Sequence, residues 1–183
     1  DVVVPVPDGG NSAALGYSME SGIPLNYGLV RNHYVGRTFI KPAQSQRSLS
    51  ADIKINVCKQ VVAGKRVVVV DDSLVRGTTF QKRAKQLYAA GASEIHLRIS
   101  CPPIRFPCFY GIDFPTSDEL LAKKMTIEQI REYLGIESVG YLSESGMLNS
   151  VAGSNRNYCT ACWSGNYPIE REDEDSNKLA MEV

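Results

Sequence analysis

The stretch VVVVDDSLVRGTT, Val67–Thr79, decides how this chain is read. Four valines in a row suit a strand buried on both faces. They run directly into two carboxylates and then into a short polar loop with one glycine. In an open parallel sheet a ligand binds beyond the carboxyl ends of the strands, and Asp71 and Asp72 stand at such an end. The pattern of Thr78 to Ala90 predicts a helix with Phe80, Ala84, Leu87 and Tyr88 on one face and Gly91 just past its end. The N-terminus of that helix points back at the acids, where free N–H groups and the helix dipole favour an anion. Gly77 lets the backbone approach closely. Ser73, Arg76, Thr78 and Thr79 add donors. A phosphate monoester suits this cradle. The acids beside it suit a sugar whose hydroxyls donate to them, a Mg²⁺ shared with phosphate oxygens, or positive charge developing on a sugar ring. The plain alternative is structural, since paired acids also follow apolar strands in receiver domains and nucleotide-binding sheets. The chain has no GxGxxG, and GKR at Gly64 lacks the Ser or Thr of a Walker A loop.

Outward from this stretch, the chain alternates strand and helix signals. Val2–Val6, Leu25–Val30, Arg66–Val70, Ile95–Ser100 and Val139–Leu142 read as strands. Ser12–Ser21 reads as a short helix ended by Gly22, and Ile53–Val62 also reads as helical. Thr126 and Gln129 fit a capping box, with Gly135 ending that helix. Pro7 to Asn11, PDGGN, is turn chemistry, and two glycines there expose backbone N–H groups to an anion. The order predicts an α/β fold: a mostly parallel, twisted sheet of about five strands flanked by helices. Arg31 to Lys54 is polar, basic and aromatic with weak periodicity, which reads as a functional loop or a mobile one.

With 183 residues, 43% hydrophobic and 22% charged, the chain has enough material for one ordinary core. Its formal net charge of zero leaves no footprint for nucleic acid. No apolar run reaches the about 20 residues that cross a bilayer. Five cysteines, an odd number, and no secretory signal predict a reducing, intracellular compartment. DVVVPV at Asp1 reads as a strand already under way, which predicts a piece of a longer chain. Glu170 to Val183 is acidic and reads as a solvated terminus.

VVVVDDSLVRGTT resembles the phosphoribosylpyrophosphate (PRPP) signature of type I phosphoribosyltransferases. VPDGGNSAALGY, RNHYVGRTFIKPAQ and CPPIRFPCFYGID narrow the resemblance. Together they resemble the glutamine PRPP amidotransferase (amidophosphoribosyltransferase) family from about Val2 to Pro168. That resemblance implies a type I phosphoribosyltransferase fold over residues 1–150 and a C-terminal segment over 151–183. It also implies a glutaminase domain that is absent from this chain. The implied reaction is displacement of pyrophosphate from PRPP by glutamine-derived ammonia, which makes 5-phosphoribosylamine in purine synthesis. Asp71 and Asp72 would hold the ribose hydroxyls and Mg²⁺, with Ser73 beside them. Arg76, Gly77, Thr78 and Thr79 would take the 5-phosphate, and Asp8, Gly9 and Gly10 the pyrophosphate. Tyr34, Arg37, Thr38 and Lys54 match the family pattern in a loop that closes over PRPP and excludes water. His33 stands where an arginine is more usual. Purine nucleotides are implied as feedback inhibitors, a homo-oligomer as the assembly, and the cytoplasm, or a plastid in a plant, as the location.

Cys159 and Cys162 form C-x₂-C, which alone fits zinc, a redox pair or an iron–sulfur cluster. The resemblance implies that Cys108, Cys159 and Cys162 are three ligands of a structural [4Fe–4S] cluster, the fourth lying upstream. Cys58 and Cys101 read as ordinary thiols. Two other functions compete with the amidotransferase: a PRPP- or nucleotide-sensing regulatory module, and a salvage base phosphoribosyltransferase. Both acids and the full loop favour an enzyme over a sensor, and CFYGID and C-x₂-C speak against the salvage type.

Overall fold

The computed structural model describes residues 1–32, 55–112, 117–151 and 158–169. Its strands are β1 (Val2–Pro5), β2 (Leu29–Arg31), β3 (Ile55–Val57), β4 (Arg66–Asp71), β5 (Glu94–Ile99) and β6 (Ser138–Tyr141). Its helices are α1 (Asn11–Ser21), α2 (Lys59–Val62), α3 (Thr78–Ala89), α4 (Leu121–Lys124), α5 (Ile127–Leu134), α6 (Glu144–Asn149) and α7 (Ala161–Ser164). The main sheet runs β1–β4–β5–β6, and every neighbouring pair is parallel.

Successive strand residues point to opposite faces, and here both faces are covered near β1 and β4. Val2, Val4, Val67, Val69, Ile95 and Leu97 pack under α3 and α5 with Phe80, Leu87 and Ile130. Val3, Val68 and Val70 pack on the other side against Ala14 of α1. This is why VVVV carries no polar alternation. On β5 the second face turns polar: His96 and Arg98 are half-buried there, and both bond to Ser138. The capping box at Thr126 is present with both of its bonds, and Gly135 closes the helix in the left-handed region.

Two local expectations are corrected. Leu25 makes only an isolated parallel bridge to Val3. The chain then turns at Gly28, where an added Cβ would lie 2.9 Å from both Val4 and Val62. Leu29–Arg31 therefore leaves the main sheet and pairs antiparallel with β3. Ile53–Val62 is not a single helix. Ile55 and Val57, both β-branched, form β3, and only Lys59–Val62 is helical. Tyr34, Arg37, Thr38 and Lys54, and the acidic tail 170–183, lie outside the described residues.

The last described segment is fastened to the body. Arg105 and Phe106 both donate their N–H to the carbonyl of Cys162, at 2.9 and 3.1 Å. The Tyr167 hydroxyl donates to the carbonyl of Pro107 at 2.8 Å, and its ring lies 5.3 Å from that of Phe109.

Gly10 is wedged at the end of β1. A Cβ there would fall 2.3 Å from the carbonyl oxygen of Val70 and 2.9 Å from that of Val6. Both are backbone atoms at the carboxyl ends of paired strands and cannot step aside. Gly10→Ala is expected to cost about 3 kcal/mol or more of stability in urea unfolding.

Candidate active site

A cavity of about 620 Å³ opens at the carboxyl ends of β1 and β4. Pro7, Asp8 and Gly9 line it from the β1 side, Asp71 to Ser73 from β4, and Arg76 to Thr79 from the loop and first turn of α3. The sequence placed Asp8, Gly9, Asp71, Asp72, Ser73, Arg76, Gly77, Thr78 and Thr79 in one ligand site, and all nine border this space. Gly10 stands behind it, against the sheet.

The two acids live in different surroundings because they alternate across the strand. Asp71 shares the face of Val67 and Val69, under α3, and is 9% exposed. Its Oδ1 accepts from the Asp72 N–H at 2.9 Å, and its Oδ2 lies 3.6 Å from a guanidinium nitrogen of Arg83. Burial pushes its carboxyl from 3.8 up to about 6, against the pull of Arg83 and of the Asp72 N–H. Asp72 is exposed. Its Oδ1 accepts from the Ser73 hydroxyl at 2.8 Å, and its Oδ2 borders Gly9. Burial lowers the Arg83 side chain and the two carboxylates raise it, but a guanidinium stays charged regardless.

The loop after β4 is held from behind. Gly77 sits at φ 75°, a left-handed conformation, as the N-terminal flank of α3. A Cβ there would lie 2.9 Å from Leu121 and 3.1 Å from Tyr133. The Leu121 N–H donates to the carbonyl of Val75 at 2.9 Å, and Gln81 donates to the carbonyl of Tyr133 at 2.8 Å. Arg76 is engaged by Glu119 at 2.6 Å, so its guanidinium faces that carboxylate. The hydroxyl-bearing Thr78 and Thr79 are exposed. Asp8 is held at 2.5 Å by Arg31 of β2.

Arg83, Arg31 and Glu119 were not picked out in the sequence. Arg83 follows Thr79 by four residues, hence on the same helix face, and this spacing was the available signal.

Cys162 neighbours Cys108 and Cys159: after burial, those two thiols are the groups that push its own thiol up. The Tyr110 N–H donates to Cys108 Sγ at 3.4 Å. Burial raises buried Cys101 to about 12, with Asp72 and Cys162 adding to it. Among the described residues no three His, Cys, Asp or Glu side chains gather as a metal-ion group. Two adjacent carboxylates do suit Mg²⁺, which keeps waters and substrate phosphates as its other ligands. Cys108, Cys159 and Cys162 are all described residues, so they do not form a closed three-thiol metal group in this arrangement.

A parallel sheet flanked by helices, with paired acids and a helix start at its carboxyl edge, here matches the type I phosphoribosyltransferase fold. The particular likeness is narrower. No family model matches the chain. The amidophosphoribosyltransferase of Synechococcus elongatus is 50% identical over 184 residues, covering 100% of this chain and 37% of its own length. Its namesake in Methanocaldococcus jannaschii is 50% identical over 170 residues, 93% of this chain and 36% of its own. The chloroplastic enzyme of Glycine max is 47% identical over 181 residues, 99% of this chain and 32% of its own. A solved structure of the glutamine PRPP amidotransferase from B. subtilis, complexed with ADP and GMP, superposes with a TM-score of 0.80 at 48% identity. It covers 93% of this chain and 38% of that one. The chain is thus homologous along its length to one part of the amidophosphoribosyltransferases, and it spans 37% or less of the three curated relatives just named.

Two predictions follow from this geometry. A Cβ on Gly9 would fall 1.9 Å from Asp72 Oδ2, but Asp72 is an exposed side chain that can swing away. Gly9→Ala is therefore expected to leave thermal unfolding nearly unchanged and to weaken ribose 5-phosphate binding about tenfold or more by calorimetry, since Asp72 is displaced. Asp71 titrates at about 6 in the fold and near 3.8 unfolded. Between those values the native state holds the proton and the unfolded state does not, so its contribution falls as pH rises. In EDTA, the stability of the protein minus that of Asp71→Asn is expected to drop by up to about 3 kcal/mol from pH 4 to pH 6.5. A flat difference curve would show that Asp71 is not desolvated.

Proposed function

We propose that this chain is the PRPP-handling part of an amidophosphoribosyltransferase. In this reading ammonia released from glutamine attacks carbon 1 of PRPP and 5-phosphoribosylamine forms, the first step of de novo purine synthesis. The observation that carries the reading is the single cavity in which the Pro7–Gly9 turn, Asp71–Asp72 and the Gly77–Thr79 cradle meet. Homology to amidophosphoribosyltransferases along the chain supports it.

The residues divide the work by their chemistry. Backbone N–H groups at Gly77 to Thr79 and the two threonine hydroxyls take the 5-phosphate. Asp71 and Asp72 accept from the ribose hydroxyls, and the turn at Asp8 and Gly9 receives the pyrophosphate; Gly10, expected from the sequence to share that role, has its N–H engaged by the carbonyl of Val6. The nitrogen lone pair makes the new C–N bond while the C–O bond to pyrophosphate breaks, its electron pair leaving with pyrophosphate. The acids favour the positive charge that develops on the ring. When bound at Asp71 and Asp72, Mg²⁺ offsets the charge of the departing group. Tyr34, Arg37 and Lys54 are assigned to PRPP contacts by resemblance alone.

The wider reading keeps residues 1–150 as the transferase domain and 151–183 as a C-terminal segment, with a glutaminase domain elsewhere in the full-length protein. Cys108, Cys159 and Cys162 hold a structural [4Fe–4S] cluster with a fourth ligand from outside this chain. The electrostatic influence of Cys108 and Cys159 on the Cys162 thiol supports this. Purine nucleotides compete for the phosphate cradle as inhibitors, a view supported by the ADP and GMP bound to the B. subtilis relative. The assembly is a homo-oligomer, in a cytoplasm or, for a plant source, a plastid. Among the described residues no helix is long and apolar enough to cross a membrane.

The test uses the full-length protein with PRPP, Mg²⁺ and either glutamine or ammonium. Pyrophosphate release is expected with both donors, and release with neither rejects the reading. Iron and sulfide are expected in protein purified without oxygen, whereas a colourless, zinc-loaded protein removes the cluster from the proposal.

A further inference from the structure

The charges around the cavity leave one residue unexplained by the reading above. Two carboxylates, Asp71 and Asp72, border a space proposed to receive a ligand with several negative charges. The other lining charges are spoken for: Asp8 is bound by Arg31, and Arg76 by Glu119. Arg83 also lines the cavity, and its side chain is only 18% exposed. Its closest carboxylate oxygen, Asp71 Oδ2, lies at 3.6 Å, beyond hydrogen-bond length.

A guanidinium carries five N–H donors, and burying them without acceptors is costly. Stability alone gives no reason to place such a group on the otherwise apolar side of α3, between Phe80 and Leu87. Its position does give a reason. Arg83 stands one turn beyond Thr79 on the same helix face, and helical side chains lean toward the N-terminus. The guanidinium is thereby carried toward the end of α3 where the phosphate cradle lies. It borders the ligand space and both acids at once.

We infer that Arg83 is a ligand-binding residue of this site, supplying the positive charge that lets an anionic sugar phosphate settle against two carboxylates. This rests on the PRPP reading and adds to it a residue outside the signature stretch. With neither Arg83 nor a bound Mg²⁺, the acids present two uncompensated negative charges to an anionic substrate. With Arg83, the guanidinium's planar fork can donate to a phosphate oxygen while staying near Asp71. The contact is made to substrate and transition state alike, so its loss acts on KM more than on kcat.

The experiment compares Arg83→Met and Arg83→Lys in the full-length protein. Ribose 5-phosphate binding is followed by calorimetry without Mg²⁺, and pyrophosphate release by steady-state kinetics with PRPP and ammonium. Arg83→Met is expected to weaken ribose 5-phosphate binding and raise the KM for PRPP about 10- to 100-fold, with kcat within about threefold. Arg83→Lys is expected to recover most of the loss, because it keeps the charge. Should the methionine variant not fold, Arg83→Gln is read in its place. Binding by the neutral variant equal to the unsubstituted protein overturns the inference. So does an equal loss in the neutral and lysine variants accompanied by a lower unfolding temperature, which would make Arg83 a packing residue. If the unsubstituted protein neither binds ribose 5-phosphate nor releases pyrophosphate, the PRPP reading itself falls; normal binding with an indifferent Arg83 sinks this inference alone.

Discussion

The N–H of Val6 donates to the carbonyl of Val70 at 2.8 Å, and the N–H of Gly10 donates to the carbonyl of Val6 at 2.9 Å. Through these bonds β1 and β4 stay paired up to their last residues, and the turns that follow them start side by side. The PDGG turn and the two acids therefore meet at one edge although some sixty residues of chain separate them. Gly10 is what permits the approach, since any larger residue meets the sheet's own carbonyls. Once the strand tips are level, α3 only has to return over the sheet for its N-terminus to close the third side of the cavity.

The alternation of a strand then sorts the two carboxylates. Asp71 falls on the α3 side, is buried, accepts from the Asp72 N–H, and lies 3.6 Å from Arg83. Asp72 falls on the open side and rests against Gly9 and Ser73. One acid is rigid and reluctant to ionise; the other is exposed and adaptable. A buried carboxyl and a buried guanidinium at 3.6 Å do not make a stabilising pair when desolvation outweighs their attraction, as the upward shift of Asp71 indicates. The site thus trades stability for a fixed arrangement of charge, which is the usual relation between a binding site and the fold that carries it.

Much of this was legible in the sequence because it rests on local signals. Continuous valines mark a strand buried on both sides, acids at its end mark a ligand edge, and Thr126 with Gln129 marks a helix start. Leu29–Arg31 and Ile55–Val57 were harder. Each is three residues long, and each is a strand only because it pairs with the other across a long intervening stretch. Ile53–Val62, taken alone, satisfies a helical pattern, and only the tertiary pairing breaks it. Arg83 was missed for a different reason. In a helix that also carries Lys82 and Lys85, one more basic residue reads as solvent-facing charge until the helix is docked and its inner face is known.

The loop that follows β4 ends by residue 79, yet what keeps it in shape comes much later. Val75 is bonded by Leu121, Gly77 is boxed in by Leu121 and Tyr133, and α3 is tied to the carbonyl of Tyr133 by Gln81. As the chain leaves the ribosome, this loop is made first and its supports follow some fifty residues afterwards. A nascent chain halted after β5 would own every signature residue and still have a slack grip, so this site matures only when its own downstream scaffold has arrived.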